Sequence, residues 1–381
     1  MGAFLDKPKI EKRTNAGRGN GLRFATSAMQ GWRVEMEDAD SARIGLPNGF
    51  DSWSFFGVFD GHAGAYVSKY CSEHLLDAIV SNENFAKAGE KSQANGKQLS
   101  DEYTELAKEA VRASFIDLDK NIRNIIDEGE KSGSTAVVVL VSPSHVYFGN
   151  CGDSRAIYCR DARQAFATAD HKPVNPEEKS RIEKAGGSVM IQRINGSLAV
   201  SRALGDFEYK MEPQLSATEQ LVSPEPEVSC LRRENGDEFL LLACDGVWDV
   251  MTNDEVIGFI RAKMLISDDL VFVCNELMDT CLAKGSRDNM SVILVAFSNA
   301  PTPCTTAIEK EKELNKHLEE LVKDISSKCD PEELDLTHVM QTLANENIDG
   351  LPPGGGLSSK RNLIEATLNQ VKGERGLKSD T

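Results

Sequence analysis

Apolar positions in this chain fall into short blocks, and each block has a recognisable period. Five runs rich in β-branched or aromatic residues are bounded by Gly, Asp or Pro and predict strands: Trp53 to Phe59, Thr135 to Val141, Val146 to Phe148, Phe239 to Cys244, and Met290 to Phe297. Helical spacing in Val67, Tyr70, Cys71, His74 and Leu75, and again in Tyr103, Leu106, Ala107, Ala110 and Val111, predicts two helices that form a pair. Two further helical blocks run from Asn253 to Met264 and from Leu270 to Ala283. Strands and helices mix without a regular βαβ alternation, which predicts an α+β fold with antiparallel sheets rather than a doubly wound parallel sheet. No internal repeat of solenoid length is present.

After Phe297 the chain reads Ser-Asn-Ala-Pro-Thr-Pro-Cys and then turns into charged helical text from Ala307 to Lys328. Two apolar-periodic stretches, Leu334 to Leu343 and Lys360 to Val371, flank the Pro-Gly segment Leu351 to Gly356. These features place a boundary near residue 300, between a main domain (1–299) and a small C-terminal helical appendage with its tail (300–381).

Composition narrows the classes. Hydrophobic residues make up 40% and charged residues 27% of the 381, the profile of an ordinary folded globular protein rather than a disordered one. A formal net charge of −17 argues against non-specific nucleic-acid binding, which needs clustered Lys and Arg. Nine cysteines, an odd number without a Cys-x-x-Cys pair or a secretory signal, read as reduced thiols of an intracellular protein. No apolar run approaches the ~18 residues that span a bilayer.

The aspartates carry the chemical signal. Asp60 follows the run ending at Phe59, Asp245 follows the run ending at Cys244, and Asp288 precedes the run starting at Met290. In an antiparallel sheet the end of one strand lies beside the start of its neighbour, so these three carboxylates can share an edge. Glu37 and Asp38 close the stretch Arg33 to Asp38, Asp153 follows the run around Val146, and Asp249 lies just beyond Asp245. Unpaired carboxylates brought together repel unless cations neutralise them, and an all-oxygen site suits Mg or Mn rather than Zn.

Seven ordered stretches, Arg33-Val34-Glu35-Met36-Glu37-Asp38, Phe59-Asp60-Gly61-His62-Ala63-Gly64, Gly133-Ser134-Thr135-Ala136, Asn150-Cys151-Gly152-Asp153-Ser154-Arg155, Ala203-Leu204-Gly205-Asp206, Cys244-Asp245-Gly246-Val247-Trp248-Asp249 and Ser286-Arg287-Asp288-Asn289, together resemble the PPM (type 2C) protein phosphatases. The ends, Met1 to Lys9 and the tail after residue 300, are similar to the alpha and beta members of animals. The chain departs from those relatives at Met211 to Ala217 and at Asp40, where they commonly carry His; neither position touches an expected metal ligand.

The resemblance implies two stacked antiparallel sheets with helices packed outside each. It implies hydrolysis of phosphoserine and phosphothreonine in proteins, signalling kinases among them, by a water activated between two Mg or Mn ions. Asp60 is expected to bridge both ions, Asp245 and Asp288 to complete one site, and the Gly61 carbonyl, with Glu37 through water, the other, while Asp38 holds water or supports a ligand. Asp153, with Asp245 or Asp249, is expected to bind a weaker third cation. Arg33 would grip the phosphate bidentately, a task for a planar guanidinium. His62, able to face the same way as Asp60 in extended chain, would protonate the departing alkoxide. Arg193, in text matching the start of the family's flap region, would help bind the substrate peptide.

Two rival readings stand beside this one. Cys281 to Arg287 has the Cys-x5-Arg spacing of thiolate phosphatases, although Cys281 falls near the end of an expected helix and follows Thr280 rather than His. A catalytically inactive phosphatase-fold scaffold would have lost metal carboxylates, and Asp60, Asp245 and Asp288 are all present. At the N-terminus, similarity of Gly2 to Lys9 to lipidated relatives implies myristoylation of Gly2, although Asp6 replaces the usual Ser or Thr. One acyl chain beside Lys7, Lys9, Lys12 and Arg13 gives only weak, transient membrane contact. The expectation is therefore a monomer that is cytoplasmic and also nuclear, with reversible membrane association.

Overall fold

The structure is a computed structural model that describes residues 4–94, 101–127, 129–330 and 333–377. The fold is α+β, and the chain forms two compact units, one of Met1–Trp248 with Arg287–Asn299, the other of Asp249–Ser286 with Ala300–Thr381. A break after Asn299 thus recurs in the structure, but the helices Asn253–Met264 and Leu270–Ala283 group with the C-terminal helices.

The first unit is built on two antiparallel sheets. In the six-stranded sheet the order is Phe4–Gly19, Leu22–Arg33, Met290–Ala296, Asp237–Ala243, Arg155–Arg160, Arg163–Ala167. In the five-stranded sheet it is Glu227–Arg232, His145–Cys151, Ala136–Val141, Ser54–Phe59, Ala39–Ile44. Side chains alternate along each strand, so Phe56 and Val58 from one sheet and Leu240, Leu242, Ile293 and Val295 from the other meet in a shared core. The opposite face of the five-stranded sheet turns Phe55, Val138, Leu140 and Tyr147 toward the helices Tyr66–Val80, Glu83–Ala94 and Asp101–Ile125. Val67, Cys71, Leu75 and Ile79 pack there against Ala110, Val111, Phe115 and Ile122, the pair of helices expected from the periodicity. Burying each large apolar side chain contributes about 1.5–3 kcal/mol. His74, counted on the apolar face, is instead exposed and stacks its ring 3.9 Å from that of Tyr70.

All five expected strands are present within two residues except at Val146 to Phe148, which extends to His145–Cys151. The missed strands are informative. Among the described residues Phe4–Gly19 is an edge strand paired with Leu22–Arg33 alone, and it carries Lys, Arg and Pro in place of an apolar run. Pro8, which cannot donate to the ladder, lies in the irregular stretch between the Phe4 and Lys9 pairings. Arg13 on this strand forms an ion pair with Asp40.

The second unit is helical. Thr252 caps Asn253–Met264 reciprocally with Glu255, and Asp269 caps Leu270–Ala283 by accepting from Val271 N at 2.9 Å. The helices Thr305–Lys328, Leu336–Ala344 and Arg361–Glu374 close around Val322, Val339, Leu343, Ile364 and Leu368. Within the unit Lys263 and Lys360 are both buried, and each is satisfied by acidic or amide partners: Lys263 by Glu276 at 2.6 Å, Lys360 by Glu311 and by Asn315 at 2.7 Å. Among the described residues no helix is long and apolar enough to cross a membrane.

Candidate active site

Strand ends bring the acidic residues together. Leu22–Arg33 ends on Arg33, and the following loop carries Glu37 and Asp38 into Ala39–Ile44. Asn289 pins that loop: its Nδ2 donates to the carbonyls of Gln30 (2.8 Å) and Glu35 (3.0 Å), and its Oδ1 accepts from Glu37 N at 2.8 Å. Asp245 opens a helical turn, Asp245–Trp248, just after Asp237–Ala243, and Asp288 precedes the antiparallel partner Met290–Ala296. Asp60 comes from the facing sheet, at the end of Ser54–Phe59, rather than from a neighbouring strand. The shared edge is therefore the rim where two stacked sheets meet. Buried strands of either sheet read alike in sequence, so their sheet membership was not legible.

Asp38 is buried. Its Oδ2 accepts from Ser291 Oγ at 2.7 Å, while its Oδ1 has no hydrogen-bond partner among the described residues. One ligand atom each from Asp38, Asp60 and Cys244 lies within 4.8 Å of the others. Burial pushes the Asp60 carboxyl well above the usual carboxylate range, and the charges of Asp38, Asp245, Asp153 and Asp288 push it further. Burial also raises Asp38 to about 7, with the charge of Asp288 adding to it against the hydrogen bond from Ser291. Burial drives the Cys244 thiol well above its ordinary value too; it stays protonated and donates toward Asn289 O at 3.4 Å. The donors left are oxygens, so an orphaned buried carboxylate oxygen within a repelling acidic cluster fits a hard divalent cation.

Gly61 lies against the Glu37 carbonyl, with no room for a Cβ, so the two backbones approach closely. Glu37 Oε1 accepts from Gly64 N at 2.6 Å. Arg33 Nη2 donates to Asp288 Oδ2 at 2.6 Å; burial opposes its charge, but Asp288, Asp245 and Asp60 outweigh it and raise its pKa. His62 Nε2 lies 2.7 Å from Asp206 Oδ2, and although burial works against the imidazolium, Asp206 wins and raises its pKa. Asp153 is buried and paired with Lys172 at 2.5 Å.

Asp249 is the first residue of the second unit. Arg193 sits in a two-strand ribbon, Val189–Met190 with Arg193–Ile194, and its Nη1 donates to Ser197 O at 2.7 Å. Gly2 is outside the described residues. Sequence reasoning gave no role to Asp206, Lys172, Ser291 or Asn289. Asp206 and Asn289 stood within the motifs, so position was visible and partnership was not. Cys281 is fully buried, its Sγ 3.7 Å from Met251 Sδ, and burial pushes its thiol up to about 12, a state unfit for a thiolate nucleophile.

The protein phosphatase 2C family model matches residues 22–290, and the protein serine/threonine phosphatase 2C C-terminal domain matches 291–369. The chain belongs to the protein phosphatase 2C family. It is a metal-dependent protein-serine/threonine phosphatase. It is 57% identical over 376 residues to protein phosphatase 1A of Bos taurus, covering 97% of this chain and 96% of the relative. Against protein phosphatase 1B of Homo sapiens it is 55% identical over 379 residues, 98% of this chain and 78% of the relative. A crystal structure of a phosphatase from Toxoplasma gondii aligns with a TM-score of 0.63 and 29% identity, over 76% of this chain and 96% of that one. A C. elegans sex determining protein aligns with a TM-score of 0.59 and 26% identity, over 75% and 66%.

The phosphatase's acidic rim makes its stability depend on pH and cations together. The Asp38 carboxyl, at about 7 when folded against 3.8 ordinarily, holds its proton more tightly in the native state. Its contribution in the metal-free protein is therefore full below the ordinary value and lost as the pH rises toward the folded one. A bound cation reverses the preference. Saturating Mg should raise the melting temperature more at about pH 7.5 than at about pH 5. Equal shifts at both pH values would contradict this reading of the rim.

Proposed function

We propose that this phosphatase hydrolyses phosphoserine and phosphothreonine in phosphoproteins by direct attack of water, without a covalent enzyme intermediate. The observation that carries the reading is the convergence on Asp60 of Asp38, Asp153, Asp245 and Asp288, with one buried Asp38 oxygen left unpaired. When bound, two Mg or Mn ions held by Asp60, Asp245, Asp288, Glu37 and the Gly61 carbonyl would supply an acidified water and neutralise phosphate charge. Asp38 would orient water beside them. Asp153, with Asp245 or Asp249, is the place for a weaker third cation, and Lys172 now neutralises it.

Arg33 is held by Asp288 through one nitrogen, which leaves further guanidinium donors to clamp two phosphate oxygens. His62 delivers a proton to the serine or threonine oxygen as its bond to phosphorus breaks. Burial works against its charged form, but Asp206 outweighs this and raises its pKa, which favours the protonated form a proton donor requires. Arg193 would contact the peptide around the phosphoresidue. We assign catalysis to residues 1–299, since the four carboxylates that bear most on Asp60 lie there, and place the helical appendage (300–381) outside the chemistry.

The reading predicts a selective defect. His62→Gln should lower turnover of a phosphothreonine peptide by about 10²-fold or more while nearly sparing an aryl phosphate, whose leaving group needs no proton. Steady-state rates on the two substrates measure it, and equal losses would remove the proton-donor role. We further propose a monomeric, cytoplasmic and nuclear enzyme acting on signalling proteins, kinases among them. A myristoyl group on Gly2 would add reversible membrane contact, and intact mass from a eukaryotic host reports that modification directly.

A further inference from the structure

Asp206 meets His62 across a gap that the backbone keeps open. Leu204–Gly205 pairs with Gly133–Ser134, which pairs in turn with Gly61–His62, so Asp206 and His62 leave opposite edges of one small ribbon. Their side chains join over Gly133, where a Cβ would collide with the Asp206 carboxylate and the His62 ring alike. Asp206 has φ +52°, the left-handed region that residues with a Cβ seldom enter. Its N–H donates to Ser132 O at 3.2 Å, and its carbonyl accepts from Tyr209 N at 2.9 Å.

A buried clamp holds this turn. Asp119 Oδ1, on the helix Asp101–Ile125, accepts from Gly205 N and from Lys210 Nζ, both at 2.8 Å, and Lys210 Nζ also donates to Ala203 O at 2.9 Å. Asp119 and Lys210 are 5% and 4% exposed, and this buried pair ties Ala203 and Gly205 at one end of the loop that presents Asp206 to Lys210 at the other. A buried pair is a poor source of net stability, whereas it fixes geometry well.

Resting on the reading of His62 as proton donor, we propose that Asp206 is its positioning residue and that the Asp119–Lys210 pair holds Asp206 in place. A carboxylate only accepts, so it fixes the hydrogen on Nε2 and stops the ring from turning. Nδ1 is left as the nitrogen that hands its proton to the leaving oxygen. Without Asp206 the imidazole samples other orientations, and only reactions that need the proton suffer.

The test uses the full-length, Mg-loaded enzyme with a phosphothreonine peptide and p-nitrophenyl phosphate. Asp206→Asn should lower kcat on the peptide by about 10–100-fold, leave KM within about twofold, and change the aryl phosphate rate by less than about threefold. Gly133→Ala, whose added methyl wedges the two side chains apart while both residues are kept, should give the same selective pattern, and it keeps the idea testable if Asp206→Asn fails to fold. Isotope-labelled histidine NMR should show the His62 Nε2–H held in a hydrogen bond in the native enzyme and exchanging freely with solvent in the variants. His62→Gln run beside them separates two failures. If it is selective while Asp206→Asn and Gly133→Ala lose both substrates equally, or neither, the positioning role is overturned and the proton donor stands. If it is unselective, the proton-donor reading falls and the positioning role falls with it.

Discussion

Replacing Asp60 by Ala, or Asp245 by Asn, is expected to reduce phosphopeptide turnover on the order of 10³-fold or more while leaving a folded protein. Phosphoryl transfer offers the protein little covalent work, so positioning and charge stabilisation carry most of the rate. Asp60 feels the charge of four other aspartates, and it comes from the five-stranded sheet whereas Asp245 and Asp288 come from the six-stranded one. Removing it therefore removes the link between the carboxylates on either side. The same change relieves repulsion in the metal-free state, so the variants should melt at or above the wild-type temperature in chelator and gain less from added Mg. Loss of activity with unfolding would be uninformative for other sites, but here the two readouts are expected to move in opposite directions. Near-normal, metal-dependent turnover in either variant would overturn the assignment of the rim.

Much of this was legible in the sequence for definable reasons. Strands buried on both faces, such as Phe239 to Cys244, announce themselves as apolar runs, and helices with reciprocal caps, such as Asn253–Met264, match their expected bounds. Leu22–Arg33 escaped notice because its centre is Ala25-Thr26-Ser27-Ala28, small residues that are buried without looking apolar. Phe4–Gly19 escaped because an exposed edge strand is written in charges.

At the site, the acidic positions were visible one by one, since an aspartate at a strand end is a local pattern. What joins them is not local. Asp206 lies 144 residues from His62, and Arg33 lies 255 from Asp288. Lys172, which neutralises Asp153, comes from outside every motif, so a cation scarce within the motifs is still supplied by the fold. The division of the chain shows the same limit: a Pro-bearing linker after residue 299 is readable, but the association of Asp249–Ser286 with the later helices is a matter of contacts.

Removal of the cations is the second large effect, and it bears on the whole account. In the proposed mechanism Arg33 grips the phosphate and His62 protonates the leaving oxygen, so neither is assigned the attack, and the Cys281 thiol is buried and protonated. Among the described residues the acidic rim is the feature suited to hold an activated water. The most direct measurement is phosphate release from a phosphothreonine peptide by the full-length protein, stripped with chelator and then titrated with Mg or Mn. The account predicts no detectable turnover in chelator and full recovery on adding either ion. Undiminished turnover in chelator would contradict it.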